Sequence, residues 1–332
     1  MLLLQPTPEI QAFLKTLSVI GNDLDNLSRK NVAASRAVRE EFARQRLWEI
    51  AVESVRSFTV PGAGHAVAVR LYVPYDKQLA REGELPVVVF FHGGGWSLGS
   101  VDTYDSITRA IARLVPALVL SVDYRLAPEN PFPAALEDAE EVLRWVKLHA
   151  PEIGGDPHRI VAAGDSAGGT LATVAAMHAG VDAKNPLVMQ VLFYPSTNIS
   201  STNYESYRQY GEGYVLTHKA VETFREFYLP RESDWVLPEV SPLLAKNFEG
   251  MPPALIVGAG CDPLRDEGEA YAQKLRLHGI HVIYRLEPQL IHAFLNFYNF
   301  EPACSPYAEG VLGYAAGVVR EALRRGSVAG RV

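Results

Sequence analysis

The chain has 332 residues, 48 % of them hydrophobic and 21 % charged, which is an ordinary composition for a folded protein with a sizeable core. Its net charge of −7, with no basic run, argues against nucleic acid as a partner. The N-terminus lacks a basic region and a cleavage site, and no run of about 18 apolar residues occurs, so we expect a cytoplasmic protein without a signal peptide or a membrane span.

Helical patterns fill the first fifty residues. Apolar side chains recur at helical spacing in the first of them: Ile10, Phe13, Leu14, Leu17 and Ile20. The segment from Asn31 to Trp48 is rich in good helix formers. The pattern then changes, because Ser54–Val60 and Ala66–Val73 alternate and are joined through Pro61-Gly62, which predicts a β-hairpin.

Short apolar runs alternate with helical patterns from residue 87 to residue 194. The predicted strands are Val87–Phe91, Leu118–Val122, Ile160–Ala163 and Val188–Tyr194. The predicted helices are Thr103–Val115, with Asp102 as its cap, Ala134–His149 and Ala167–His178. This order predicts an α/β fold with a mostly parallel sheet and helices on both faces.

The alternation stops between residues 196 and 235, where only Thr217–Tyr228 predicts a helix. It resumes with strands at Ala254–Val257 and His281–Leu286 and helices at Asp266–His278 and Pro306–Arg324. We therefore predict a core at 53–195 and 236–332, and a cap formed by 1–52 together with the insertion 196–235. The two cysteines, Cys261 and Cys304, favour reduced thiols over one bridge.

Ser166 lies in the sequence Gly164-Asp165-Ser166-Ala167-Gly168-Gly169, which follows a predicted strand and opens a predicted helix. In that context G-x-S-x-G indicates a nucleophile on a strained turn, with small flanking residues that let strand and helix approach closely. The helix N-terminus adds positive potential and free N–H groups beside the serine. A simple glycine turn is the alternative, and the flanking strand and helix argue against it.

A serine nucleophile needs a base and an orienting acid, which follow it in chain order in this kind of fold. The histidines after Ser166 are His178, His218, His278, His281 and His292. His292 alone follows the last strand in a loop, where a base can reach the serine. For the acid we choose Asp262, at the turn after the strand that begins at Ala254, with Asp266 as the fallback. Asp266 and Glu267 open the next helix and are interpreted as charges that favour its N-terminus.

The sequence His92-Gly93-Gly94-Gly95-Trp96 directly follows the strand Val87–Phe91. Three consecutive glycines leave backbone N–H groups unobstructed, and such donors can stabilise the oxyanion of a tetrahedral intermediate. A phosphate-binding loop is disfavoured, because no Lys-Ser/Thr pair follows the glycines. We interpret His92 as a structural residue that fixes this loop.

Together these motifs resemble the bacterial hormone-sensitive-lipase-like carboxylesterases of the GDSAG subgroup, which have the α/β-hydrolase fold. The resemblance extends from about Leu85 to Phe294. It rests on His92–Trp96, Asp123-Tyr124-Arg125-Leu126-Ala127-Pro128-Glu129, Pro131–Ala134, Gly164–Gly169 and Cys261-Asp262-Pro263-Leu264-Arg265-Asp266-Glu267. We interpret Asp123–Glu129 as a structural segment.

The resemblance implies hydrolysis of short- to medium-chain acyl esters under a helical cap, without a cofactor or a metal. By motif position it makes Ser166 the nucleophile, Asp262 the acid and His292 the base. The oxyanion donors would be the amides of Gly94, Gly95 and Ala167, with Gly93 as their partner in the loop. One departure is Ala293, where the family commonly has glycine.

Several large apolar side chains are candidates for an acyl pocket or for packing between cap and core: Trp96, Tyr204, Tyr207, Tyr210, Tyr214, Leu216, Phe224 and Phe227. Other functions on the same fold stay open. A non-catalytic small-molecule receptor is disfavoured by His292, whereas an amidase, a peptidase or an acyltransferase shares the same chemistry. A true lipase is weakly disfavoured, and a homodimer is compatible with the sequence.

Overall fold

The computed structural model describes residues 3–20, 23–45, 50–62, 64–180, 187–298 and 301–325. The strands are β1 (Ser54–Pro61), β2 (Ala66–Val73), β3 (Leu85–Phe91), β4 (Leu118–Asp123), β5 (Gly155–Asp165), β6 (Met189–Phe193), β7 (Ala254–Cys261) and β8 (Val282–Ile291). The helices are α1 (Pro8–Ile20), α2 (Val32–Gln45), α3 (Asp105–Leu114), α4 (Ala134–His149), α5 (Ala167–Gly180), α6 (Glu205–Tyr210), α7 (His218–Tyr228), α8 (Arg265–Leu277) and α9 (Ser305–Arg325).

Within these ranges the strands form a single sheet in the order β1-β2-β4-β3-β5-β6-β7-β8. From β4 to β8 every neighbouring pair is parallel, whereas β1 pairs with β2 and β2 with β4 in antiparallel register. The predicted hairpin and the mostly parallel sheet are therefore confirmed. Because the parallel strands all end at one edge, the loops after β3, β5, β7 and β8 open on the same side of the sheet.

The central strands are apolar throughout because both of their faces are covered. Every residue of β3 is buried, and alternate residues belong to different hydrophobic clusters. Val87, Val89 and Phe91 pack with α4 and α5, whereas Val88 and Phe90 pack with α3 and α9. Helices therefore cover both faces of the sheet, as the sequence predicts.

The structure differs from the prediction at the start of α3 and in one additional helix, α6. Asp102 does not cap α3; the capping position is Tyr104, and Asp102 instead accepts a hydrogen bond from Arg70 at 2.6 Å. The short helix α6 was not predicted, because its one and a half turns give too little periodicity. The end of the predicted helix Asn31–Trp48 lies at 46–49, outside the described residues.

The N-terminal helices contact both the 205–228 region and the core. Thr217 donates a hydrogen bond to Asp25, and Arg29 donates one to the carbonyl of Glu226 at 3.2 Å. Arg36 on α2 donates to the carbonyls of Ser97 (2.8 Å) and Ala127 (2.7 Å) in the core. None of the described helices is long and apolar enough to cross a membrane.

Candidate active site

Ser166 lies on a strained turn between β5 and α5. Its φ is 53°, a left-handed conformation that costs a non-glycine residue about 1–2 kcal/mol. The turn is compact because glycine flanks it: a Cβ at Gly164 would lie 2.3 Å from the carbonyl of Gly168, and a Cβ at Gly168 would lie 2.0 Å from the carbonyl of Phe91. Neither position accepts a side chain, so the geometry depends on these two glycines.

His292 contacts both other members of the predicted triad. Its Nε2 lies 3.0 Å from the Oγ of Ser166, and its Nδ1 lies 2.7 Å from Oδ2 of Asp262. The second carboxylate oxygen of Asp262 accepts the N–H of Leu264 at 2.8 Å. The Asp262 side chain is 1 % exposed and that of His292 6 % exposed, and the ring of Tyr194 packs edge-on against the imidazole. The side chains are thus held in one orientation, with Nε2 facing the serine.

The alternative residues have other partners. Asp266, the fallback acid, accepts a hydrogen bond from the amide of Ser206 at 2.8 Å and from Arg265 at 2.8 Å. His178 pairs with Glu140 at 2.5 Å, and His278 bonds to the carbonyl of Lys274 at 2.9 Å.

The glycine loop after β3 contains two backbone amides that make no hydrogen bond within the loop. Gly94 and Gly95 adopt φ values of 115° and 60°, which glycine adopts without strain. Within the described part of the chain, the amides of Gly94, Gly95 and Ala167 donate no hydrogen bond. Ala167 is the first residue of α5, and its amide is free because the first amides of an α-helix have no carbonyl partner within the helix. All three residues line the same cavity as Ser166.

Gly93 differs from the next two glycines because its amide points into the protein. It donates to Oδ1 of Asp165 at 2.7 Å and to the hydroxyl of Tyr104 at 3.0 Å. Tyr104 in turn donates to Oδ2 of Asp165 at 2.9 Å. Burial raises the pKa of Asp165 to about 6, although these hydrogen bonds and the nearby His292 act to lower it. Sequence reasoning missed this carboxylate, although a polar residue at the end of a buried strand is itself a signal.

His92 is buried and its ring stacks on that of Tyr124, with centroids 4.3 Å apart. Its Nδ1 bonds to the carbonyl of Gly93 at 2.8 Å, and its own carbonyl accepts the hydroxyl of Tyr124 at 2.7 Å. Burial lowers the pKa of His92 below its ordinary value. These contacts agree with the interpretation of His92 as a structural residue that fixes the glycine loop.

Glu267 is another buried carboxylate near the site, outside the predicted triad. One oxygen accepts the amides of Thr197 (2.8 Å) and Asn198 (3.1 Å) and the hydroxyl of Ser196 (3.4 Å). Burial raises its pKa to about 8, against the lowering effect of those amides. Its interpretation as a helix-terminal charge was incomplete, because the carboxylate also holds the chain where it leaves the core at residues 196–198.

The cavity above Ser166 has a volume of about 1130 Å³. Apolar side chains from both hydrophobic clusters line it, among them Phe13, Leu24, Ile107, Leu216, Phe224 and Phe297. Of the candidate pocket residues, Trp96, Leu216 and Phe224 line the cavity. Tyr207, Tyr210 and Phe227 are buried outside it, and Tyr204 and Tyr214 do not line it either.

Cys261 and Cys304 are both free and buried, as the sequence favoured. Burial raises the pKa of each thiol to about 12, so neither is a nucleophile at neutral pH. In the described ranges, no three His, Cys, Asp or Glu side chains are grouped so that they could hold a metal ion.

A serine on a strained strand–helix turn, a histidine 3.0 Å away and a buried aspartate behind it are the arrangement shared by serine hydrolases of the α/β type. Comparison with known proteins gives the family. Residues 88–296 match the model of the alpha/beta hydrolase fold family.

Curated relatives include carboxylesterase NlhH of Mycobacterium tuberculosis, 41 % identical over 242 residues that cover 72 % of this chain and 74 % of that protein. Carboxylic ester hydrolase LipN of the same organism is 40 % identical over 300 residues, covering 88 % of this chain and 77 % of that protein. A solved hyperthermophilic esterase from Pyrobaculum calidifontis superposes with a TM-score of 0.87 at 34 % identity, covering 96 % of this chain and 98 % of that one.

The chain therefore belongs to the alpha/beta hydrolase family, in its hormone-sensitive-lipase-like group of carboxylesterases. It is a carboxylic ester hydrolase, and the fold class and family predicted from its motifs are confirmed.

Proposed function

We propose that the chain hydrolyses short- to medium-chain acyl esters with Ser166 as nucleophile, His292 as base and Asp262 as the acid that orients the base. The observation that carries the proposal is the series of contacts Ser166 Oγ to His292 Nε2 at 3.0 Å and His292 Nδ1 to Asp262 at 2.7 Å. The amides of Gly94, Gly95 and Ala167 are the proposed oxyanion donors, since each has a free N–H beside Ser166.

In the first half-reaction Ser166 Oγ attacks the ester carbonyl while His292 Nε2 takes its proton. The three amides stabilise the oxyanion, and Asp262 stabilises the imidazolium that forms. His292 then gives its proton to the leaving alcohol, which yields an acyl-Ser166 intermediate. Water, activated by His292, attacks this acyl group and regenerates the serine.

The cavity supports the substrate class. Its lining is mainly apolar, and the residues that line it beside the glycine loop, such as Leu216 and Phe224, suit an aliphatic acyl chain. We propose that residues 1–52 and 196–235 act together as the cap over this cavity. The cytoplasmic location and the homodimer stay predictions.

The test is hydrolysis of p-nitrophenyl esters from acetate to palmitate by the wild type and by Ser166→Ala. The wild type should prefer short to medium chains, and Ser166→Ala should lower kcat by about 10⁴-fold or more, because the nucleophile is lost. His292→Ala should have a comparable effect. An organophosphate should label the wild type at Ser166, as mass spectrometry of peptides would reveal.

Two matched controls test the assignments. His281→Ala removes an exposed histidine at the start of β8 and should leave kcat unchanged. Asp262→Asn should lower kcat strongly, whereas Asp266→Asn should mainly lower stability, since Asp266 bonds to Ser206. A wild type that is inactive on every ester and is not labelled by the organophosphate would contradict the proposal.

A further inference from the structure

Asp165 is a buried carboxylate for which the proposed mechanism has no use. It is the last residue of β5, it directly precedes Ser166, and it is 1 % exposed. Burying a carboxylate is unfavourable unless hydrogen bonds compensate for the lost water. Its two oxygens accept the amide of Gly93 at 2.7 Å and the hydroxyl of Tyr104 at 2.9 Å.

The partner of Asp165 is the first glycine of the loop that carries two proposed oxyanion donors. We call residues 92–96 the oxyanion loop. Its two donor residues have φ values of 115° and 60°, and glycine has little intrinsic preference among the conformations open to it. The loop therefore needs external contacts to hold one shape. Tyr124 bonds to the carbonyl of His92, and Asp165 and Tyr104 receive the amide of Gly93.

The contact with Asp165 leaves no free space. A Cβ on Gly93 would lie 2.5 Å from Oδ2 of Asp165 and 2.9 Å from the hydroxyl oxygen of Tyr104. Because Asp165 and Ser166 are adjacent in the chain, a hydrogen bond from Gly93 to Asp165 fixes the loop relative to the nucleophile. The amide that Gly93 donates to Asp165 is thereby unavailable to an oxyanion.

We propose that Asp165 is a positioning residue, which holds the amide of Gly93 so that the amides of Gly94 and Gly95 face the oxyanion formed at Ser166. The inference rests on the proposed roles of Ser166 and of those amides. Asp165 touches no reacting atom and acts through the oxyanion loop. Its loss should therefore reduce stabilisation of the transition state more than binding of the substrate.

The experiment compares Asp165→Asn with Asp165→Leu, which have nearly the same size. Asparagine keeps an oxygen for the amide of Gly93. Leucine removes that acceptor and leaves the amide only the hydroxyl of Tyr104, which loses its own acceptor as well. We expect Asp165→Leu to lower kcat on p-nitrophenyl butyrate by about 10²-fold with KM within threefold of the wild type. Asp165→Asn should keep kcat within about tenfold of the wild-type value, because this conservative substitution preserves the acceptor for the amide of Gly93.

Two further measurements separate positioning from folding. The rate is expressed per site labelled by an organophosphate, so that unfolded molecules do not count. Affinity for phenylboronic acid, which forms a tetrahedral adduct with a serine nucleophile, should fall in proportion to kcat/KM. Should Asp165→Leu fail to fold, Asp165→Ser takes its place, because the serine hydroxyl is too short to reach Gly93.

The control is Asp105→Asn. Asp105 is a buried carboxylate that accepts the hydroxyl of Tyr72 at 2.8 Å, and it does not line the cavity. This variant should lower the melting temperature and leave kcat unchanged. If Asp165→Leu keeps more than a third of the wild-type kcat while Ser166→Ala is inactive, the inference is overturned. The proposal that Ser166 is the nucleophile is then unaffected. A change confined to KM, or an equal loss of kcat in Asp105→Asn, would also overturn it.

Discussion

Four non-glycine residues beside the reacting groups have left-handed backbone conformations: Trp96 (φ 55°), Ser166 (φ 53°), Tyr194 (φ 36°) and Ala293 (φ 59°). Such conformations persist where surrounding contacts hold them, and they concentrate at functional sites. Ala293 follows His292, at the position where related proteins commonly have glycine, and its positive φ gives the physical reason for that preference. The alanine retains the loop shape at a small cost in conformational energy.

Glu267 gives a prediction about pH. Its pKa is about 8 in the folded protein against an ordinary value of 4.5, chiefly because of burial. The folded state therefore holds a proton that the unfolded chain releases. The stability from this proton is complete below about pH 4.5 and is lost as the pH rises through 8. Glu267→Gln, which cannot ionise, should melt at a higher temperature relative to wild type at pH 9 than at pH 5.

Thermal denaturation at the two pH values would measure this difference. Glu249→Gln, which changes an exposed glutamate, should show no such dependence on pH. A constant difference between Glu267→Gln and the wild type from pH 5 to pH 9 would mean that Glu267 is ionised throughout this range.

At the scale of elements, most of the core was predictable because its signals are local. Buried strands are apolar runs, and the bounds of α4, predicted as Ala134–His149, agree with the structure. The site depends on residues that are distant in sequence: His292 lies 126 residues from Ser166, and Asp165 lies 72 residues from Gly93. The triad could still be predicted, because the G-x-S-x-G motif identifies the serine and the chain order limits which aspartate and histidine can serve it. The contact between Asp165 and Gly93 leaves no such pattern in the sequence.

The helix α7 contributes a wall of the proposed acyl pocket through Phe224. Its ring packs directly on the oxyanion loop, since a Cβ on Gly95 would lie 2.2 Å from it. Phe224→Ala should enlarge the pocket beside the loop and shift the preferred acyl chain towards longer esters, with a loss of stability of about 3–5 kcal/mol. Ratios of kcat/KM across the p-nitrophenyl ester series would measure the shift.

Phe227→Ala is the matched control for that change, because Phe227 is buried on the same helix but does not line the cavity. It should destabilise the protein without moving the preferred chain length. An unaltered preference in Phe224→Ala would indicate that the acyl chain binds in another part of the cavity.

At the scale of the whole molecule, the cavity lies where the N-terminal helices meet the rest of the protein. Its walls include Phe13 and Phe42 from α1 and α2 as well as the oxyanion loop. Among the described residues, Arg36 on α2 provides several of the polar contacts that join these parts. Its guanidinium bonds to two core carbonyls and forms a bidentate pair with Glu129 at 2.8 and 3.1 Å. No pattern in the sequence indicates this role of Arg36, because an arginine in a polar helix resembles any solvated charge.

Arg36→Ala should therefore loosen α2 over the cavity. It removes four charge-assisted hydrogen bonds from a side chain that is only 19 % exposed, so we expect a loss of about 2 kcal/mol and a melting temperature lower by several degrees. Trypsin should cut within residues 3–45 faster than in the wild type. Arg44→Ala is the control, because Arg44 lies on the same helix, is 53 % exposed and pairs with Glu41 one turn away. If both variants melt and are cut alike, Arg36 does not hold the N-terminal helices on the core, and their other contacts must do so.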